Sequence, residues 1–430
     1  MTARGSFVLA VTATLAGVVI GLIGGAFRWC LQHAETLRLG LVEGAHRLPG
    51  PGWLIPVAAA ALGAWLAALI VRRQPLAAGS GIQHVEAVYH GHARPPLIGL
   101  LFAKFVGGVL SIGSGLVLGR EGPTVHMGAA VGAQAGRHAR LSDADVRLMQ
   151  TAVGGAGLAV AFNAPIAGVL FAVEEVSKSF RMQLVLATTL ASATAVGCTR
   201  LILGNHPDFA VEPLAAPALG WLPLFLIFGL LTGLLGAAYN VTVLWFLDHV
   251  ATVVRIPTTV KAPLIGAVIG LAAVLLPLSV GDGQTITQLV LSGHTLALTA
   301  TVGYLAVRFI AGPLSYSAAL PGGLFAPLLA IGALWGVGFV TIVDAIWPLR
   351  GLAIPMAIVG MASFFSATVR APVTGMVIVI EMTATTSVTV PMLAATAAAV
   401  IAAQLTGSAP IYDSLRDRMV PERGPSDSAD

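Results

Sequence analysis

The stretch Gly119-Arg120-Glu121-Gly122-Pro123 holds a carboxylate between glycines at the junction of two apolar runs, Phe105 to Leu118 and Val125 to Ala135. An ionised side chain in the middle of a bilayer costs about 2.5–3.5 kcal/mol on insertion scales, so its default reading is functional. Its neighbours say what kind of function. Gly122 exposes backbone, and Pro123 suits the first turn of a helix. A helix N-terminus presents unpaired N–H groups and partial positive charge, which together attract anions. Glu121 is itself an anion at such a place. Two readings stand at this point: the side chain caps its own helix, or it competes with a permeant anion for one site.

A second stretch, Gly323-Leu324-Phe325-Ala326-Pro327, has the same frame and no acid. The amides of Leu324 and Phe325 are candidate donors to an anion, and their side chains keep water away. Ser80, in the flexible break Gly79-Ser80-Gly81-Ile82, offers a hydroxyl that donates to an anion or caps the following helix. A third use of Ser80, as a nucleophile with His84 and Glu86 nearby, suffers because a helix cap does not readily pair with a base four residues on. Glu174 and Glu175 close an apolar run. Adjacent residues do not share a helix face, so the two carboxylates have different partners. A desolvated carboxyl beside another negative charge suits proton transfer, and a solvated helix end is the plainer alternative. Tyr412 follows the last apolar segment, as an interfacial anchor or an anion ligand. The histidines show no metal-ligand spacing, and no cofactor is expected.

The elements that carry these residues are membrane helices. Of 430 residues, 57% are hydrophobic and only 10% charged, a balance that excludes a soluble domain of this size. The 50 glycines and 25 prolines fit helices packed closely in lipid. No alternating strand pattern supports a barrel. A net charge of +4, spread over loops, reads as membrane orientation and not as nucleic-acid binding. Cys30 and Cys198 sit in apolar context and form no disulfide framework. The N-terminus reads as a first membrane helix rather than a removed signal. The expected spans begin with Phe7 to Phe27, closed by Arg28, and Trp53 to Val71, closed by Arg72-Arg73 on the cytoplasmic side. Arg137 to Arg147 is expected at the same surface. Several segments are too short to cross about 30 Å of hydrocarbon. Interrupted helices are tolerated only where protein or a cavity surrounds them.

The chain also repeats itself. Lys104 to Ala129 aligns without gaps to Arg308 to Ala333, matching Gly108 with Gly312, Ser111 with Ser315, Gly119 with Gly323 and Pro123 with Pro327. Ala164-Pro165-Ile166-Ala167-Gly168 matches Ala371-Pro372-Val373-Thr374-Gly375, and Glu174 then meets Glu381. Gly79-Ser80-Gly81 meets Gly281-Asp282-Gly283. The reading is a membrane repeat over residues 1–210, a second over 219–419 and a short polar tail at 420–430. Matching interrupted helices point to a binding site between the repeats, near the midplane. The Glu174–Glu381 match marks Glu174 as the structural member of its pair and leaves Glu175 as the candidate proton relay.

Together, Gly79-Ser80-Gly81-Ile82, Gly119-Arg120-Glu121-Gly122-Pro123, Gly323-Leu324-Phe325-Ala326-Pro327 and Tyr412 resemble the four chloride-site signatures of the CLC family of chloride channels and proton-coupled chloride transporters. The resemblance runs from about Leu15 to Met419. It implies an all-α polytopic fold, an inverted repeat of tilted and half-length helices, and a homodimer with one anion pathway per subunit. By position it implies that Ser80 and Tyr412 ligate a central chloride with the amides of Leu324 and Phe325. Arg120 and Gly122 add amides to an outer site, Glu121 gates and accepts protons, and Glu175 relays protons from inside. A Glu at 175 and a Ser at 80 are the family's marks of proton antiport and of chloride over nitrate. The expected activity is chloride/proton antiport in a bacterial inner membrane, with chloride, protons, lipid and a second copy as the only partners and no enzymatic chemistry. A passive chloride channel and, from another class, an intramembrane serine hydrolase are the alternatives. Gln83 stands where the family has Pro, and His84 where an acid is common. Most of an amphipathic N-terminal helix and the regulatory domains of larger members are missing.

Overall fold

The computed structural model describes residues 3–252, 256–294, 296–348 and 351–419; the expected tail at 420–430 lies outside them. The described residues are helical, with no strand. The first eight helices are α1 (Ala3–Arg47), α2 (Leu54–Arg73), α3 (Ile82–Tyr89), α4 (Gly99–Gly113), α5 (Glu121–His138), α6 (Asp143–Phe162), α7 (Pro165–Phe171) and α8 (Met182–Leu203), with a π-helical turn, Ala172–Ser177, after α7. A second series follows: α9 (Leu222–Thr252), α10 (Thr258–Leu275), α11 (Gln284–Leu291), α12 (Leu298–Ser317), α13 (Phe325–Asp344), α14 (Ala353–Val369), α15 (Pro372–Thr383), α16 (Thr389–Leu405) and α17 (Ile411–Asp417). Among the described residues, seven helices are long and apolar enough to cross a membrane. The others are shorter or less apolar, and local chemistry shows how two of them end. Asn163 and Arg370 end α6 and α14 in the left-handed region, and Pro165 and Pro372 restart the chain as α7 and α15.

Two seams of small residues hold the long helices. Gly17, Gly21 and Gly25 of α1 pack on Ala191, Ala195 and Thr199 of α8, so closely that a Cβ at Gly21 would overlap the Ala195 carbonyl. Gly229 and Gly233 of α9 pack the same way on Ala395 and Ala399 of α16. In lipid, close backbone approach replaces the hydrophobic effect as the source of helix association. Both of these pairs run parallel. By contrast, Gly266 of α10 meets Ala60 of α2 and Gly270 meets Val57, so corresponding helices of the two series run in opposite directions. Inversion follows from that pairing.

One expected boundary is corrected. Arg28 does not close the first span: α1 continues through it for 45 residues in all. Arg28 stays buried because Nη1 donates to the Val160 carbonyl at 2.9 Å and Nη2 to Asp208 at 2.6 Å. A charge marks a helix end only when no partner waits inside the protein.

Candidate functional site

Two paired backbone bonds build the site. Gly119 N–H donates to Gly323 O at 2.7 Å, and Gly323 N–H donates to Gly119 O at 2.8 Å. Gly79 N–H donates to Leu320 O at 3.1 Å, and Gly322 N–H returns to Gly79 O at 3.2 Å. These bonds bring the start of α5, the start of α13 and the break before α3 to one point. Three helices thus aim unpaired N–H groups at the same small volume.

Glu121 occupies it. Its Oε1 accepts a hydrogen bond from Phe325 N–H at 2.7 Å, the first amide of α13, while the whole residue is buried. The carboxylate caps the opposing helix. Gly323 has to lack a side chain, because a Cβ there would overlap Glu121 Oε1. Gly122 faces Ser80, and a Cβ at that position would overlap the Ser80 hydroxyl. Ser80 does not cap α3: Gly81 is the capping residue, and no side chain bonds there. Tyr412 is fully buried, which overturns the interfacial-anchor reading. Its ring stands edge-on to Phe325 with centroids 5.2 Å apart. Phe325 in turn packs against Phe162, Phe171 and Phe365. Among the described residues, Ser80 Oγ, Tyr412 Oη and Glu121 Oε2 are buried polar atoms without a hydrogen-bond partner in the protein. Buried hydroxyls normally have partners, so two orphans beside two helix N-termini fit an exchangeable, anionic occupant.

Of the residues singled out from sequence, Ser80, Glu121, Gly122, Leu324, Phe325 and Tyr412 come together here. Arg120 contributes only its backbone. Its side chain turns away, with Nε donating to Ala161 O at 2.9 Å, Nη1 to Gln284 Oε1 at 2.8 Å and Nη2 to Asp208 at 3.0 Å. Glu175 stands apart, buried on the π-helical turn and within electrostatic reach of Glu86, Lys178 and Asp413. Its neighbour Glu174 accepts from Val373 N–H at 3.1 Å and Thr374 N–H at 2.7 Å, at the start of α15. Glu381 does the same for α7, accepting from Ile166 N–H at 3.1 Å and Ala167 N–H at 2.9 Å.

Several residues escaped the sequence reading. Lys104, fully buried, donates to Gly79 O at 2.8 Å and Ser80 O at 3.1 Å, fixing the turn that carries Ser80. Arg308 plays the corresponding part for the 278–281 segment, reaching Gly281 O at 3.1 Å. A lone Lys inside an apolar run was the available signal. Glu86 is buried and joined to Lys178 at 3.0 Å and to Arg416. His84 Nδ1 lies 3.1 Å from His126 Nε2, so His84 faces another ring and not Ser80. Asp208, in a loop far from any motif, gave no signal at all.

Comparison with known proteins agrees with this geometry. Residues 62–404 match the family model described as "Voltage gated chloride channel". The chain is 35% identical over 425 residues to the H(+)/Cl(-) exchange transporter ClcA of Vibrio parahaemolyticus, covering 96% of this chain and 91% of that one. The corresponding transporter of Citrobacter koseri is 33% identical over 432 residues, covering 97% and 90%. Among solved structures, that of a slow cyanobacterial Cl-/H+ antiporter superposes with a TM-score of 0.90 at 28% identity, covering 96% of this chain and 97% of that one. With the helix-end site and the inverted fold in place, the chain belongs to the voltage-gated chloride channel (CLC) family.

Proposed function

We propose that the protein is a secondary active antiporter exchanging chloride for protons. One observation carries the reading: the buried Glu121 carboxylate sits on the Phe325 amide. In this reading the side chain occupies the place of the anion it exchanges for. Ser80, Tyr412 and the amides of Leu324 and Phe325 bind the central chloride, and the amides of Arg120 and Gly122 hold an outer one. Protonation removes the Glu121 charge and frees its place for chloride; chloride entry then leaves the protonated side chain to release its proton elsewhere. Glu175 passes protons between Glu121 and the side where Lys178 and Arg416 lie. The resemblance to relatives named as H(+)/Cl(-) exchange transporters supports both ions. No hydrogen bond links Ser80 to a base, which leaves the hydrolase alternative without support.

The two repeats span residues 1–210 and 219–419 in this proposal. Arg72, Arg73, Arg137, Arg140, Lys178 and Arg181 cluster at the ends of α2, α5 and the π-helical turn, while residues 204–221 hold no Lys or Arg. That asymmetry supports a cytoplasmic side for the basic ends, and the membrane in this proposal is a bacterial inner membrane. A homodimer fits the face where α7 and α15 pack together beside α8 and α16, exposing Ile166, Val373, Leu186 and Leu393.

In proteoliposomes, a chloride gradient should drive protons uphill. Glu175→Gln should keep chloride flux and lose proton movement, and Glu121→Gln should abolish coupling. Chloride flux with no proton movement in the parent protein would instead make it a channel, and unchanged coupling in Glu175→Gln would remove that residue from the path.

A further inference from the structure

The turn Gly281-Asp282-Gly283 matches the Ser80 turn in sequence and has the same backbone, with Gly283 at φ 95° against 91° for Gly81. Its middle residue is an acid where the other turn has a hydroxyl. Asp282 is nearly buried, at 8% exposure. Its Oδ1 accepts from Gln284 N–H at 3.0 Å, and its Oδ2 lies 3.7 Å from Arg120 Nη1. The same Arg120 nitrogen donates to the Gln284 side chain. Asp282, Gln284 and Arg120 thus form one cross-link.

Two small spaces meet at that cross-link. One, of about 10 Å³, is lined by Gln32, Glu35 and Arg38 as well as by Arg120, Asp282 and Gln284. The other, of about 20 Å³, shares the same three residues and reaches Phe162 and Ala326, the residue after the Phe325 amide. Each has room for about one water, so the cross-link lies between two narrow spaces, the second of which reaches α13 beside Phe325. Four arginines, Arg28, Arg38, Arg120 and Arg308, stand here with three carboxylates, Glu35, Asp208 and Asp282. Arg120 is flanked by Asp208, which it shares with Arg28, and by Asp282, so each carboxylate weakens the field an anion would meet at Arg120.

We propose that Asp282 is a specificity-determining residue for anion entry from the Asp208 face: by pairing with Arg120 it weakens anion binding at the entrance and leaves the central site unaltered. Low-dielectric walls focus the field of each charge into the cavity, so one carboxylate there changes the local anion concentration. This deepens the antiporter reading and rests on it.

The test is side-resolved flux in oriented proteoliposomes. Asp282→Asn removes the charge and keeps an oxygen for Gln284 N–H. Apparent chloride affinity from the Asp208 face should rise about three- to tenfold, as expected for losing one charge at several ångströms in a partly screened site. Affinity from the opposite face and the chloride-to-proton ratio should not move. Asp282→Ser, which also keeps a capping oxygen, should shift in the same direction if the first variant folds poorly. Equal affinities in the parent and either folded variant, or equal shifts from both faces, would overturn the proposal. Absence of chloride transport in the parent would instead defeat the antiporter reading beneath it.

Discussion

In the proposed antiporter, single atoms decide the competition between carboxylate and anion. Glu121 Oε1 reaches Phe325 N–H only because Gly323 leaves room. Gly323→Ala should displace the carboxylate from that amide, and the proton uptake that accompanies chloride release should fall at least severalfold. Ser80→Ala removes a buried hydroxyl with no protein partner. It should weaken calorimetric chloride binding about tenfold, the worth of a hydrogen bond to a charged group, with little change in thermal stability. The sequence showed Glu121, Ser80 and the 323–327 frame plainly, because glycine, proline and charge in apolar surroundings are visible in one dimension. It did not show which helix Glu121 caps. That depends on a contact across 204 residues of chain. Lys104 escaped for a related reason: its role is to hold carbonyls, and backbone acceptors leave no mark in the sequence.

Helices meet through small residues and reciprocal caps. The α1–α8 seam tolerates no side chain at Gly21. Gly21→Val should cost about 1–3 kcal/mol by overpacking, seen as a lower detergent unfolding temperature with residual transport in the folded fraction. The Glu174 and Glu381 caps bind each other's halves, and Glu381→Ala should destabilise by about 1 kcal/mol by leaving the first amides of α7 unpaired. The Glu174–Glu381 match was legible as a repeat, but the swap of partners was not, since alignment shows equivalence and not contact. Helix ends were legible where Asn163 and Pro165 or Arg370 and Pro372 mark them. They were misread at Arg28, where a buried carboxylate from a distant loop keeps the charge inside α1.

For the whole molecule, the proposed orientation in the membrane can be tested. In a background without Cys30 and Cys198, Glu212→Cys should react with an impermeant maleimide added to intact cells, and His138→Cys only after permeabilisation. The opposite pattern would reverse the assignment of faces. The repeat was legible in the Gly-x-x-x-Pro frames, but its inversion came only from the family resemblance, because broken hydropathy concealed the number of helices. The antiparallel meeting of α2 and α10 supplies what counting did not.

The double stitch between Gly119 and Gly323 has a mechanical consequence. It ties the tips of α5 and α13 across the line along which the two repeats would separate. A carrier that rocks its halves apart must stretch whatever spans that line. In the proposed antiporter the grip on the ion is itself the stitch, so opening the halves would dismantle the grip. That proposal leaves alternation to the swing of one side chain inside a stationary frame, a turnstile and not a pair of doors. Cross-linking α2 to α10, which joins the two repeats where Gly266 meets Ala60, should accordingly leave exchange running, and a complete arrest on cross-linking would mean that the frame moves.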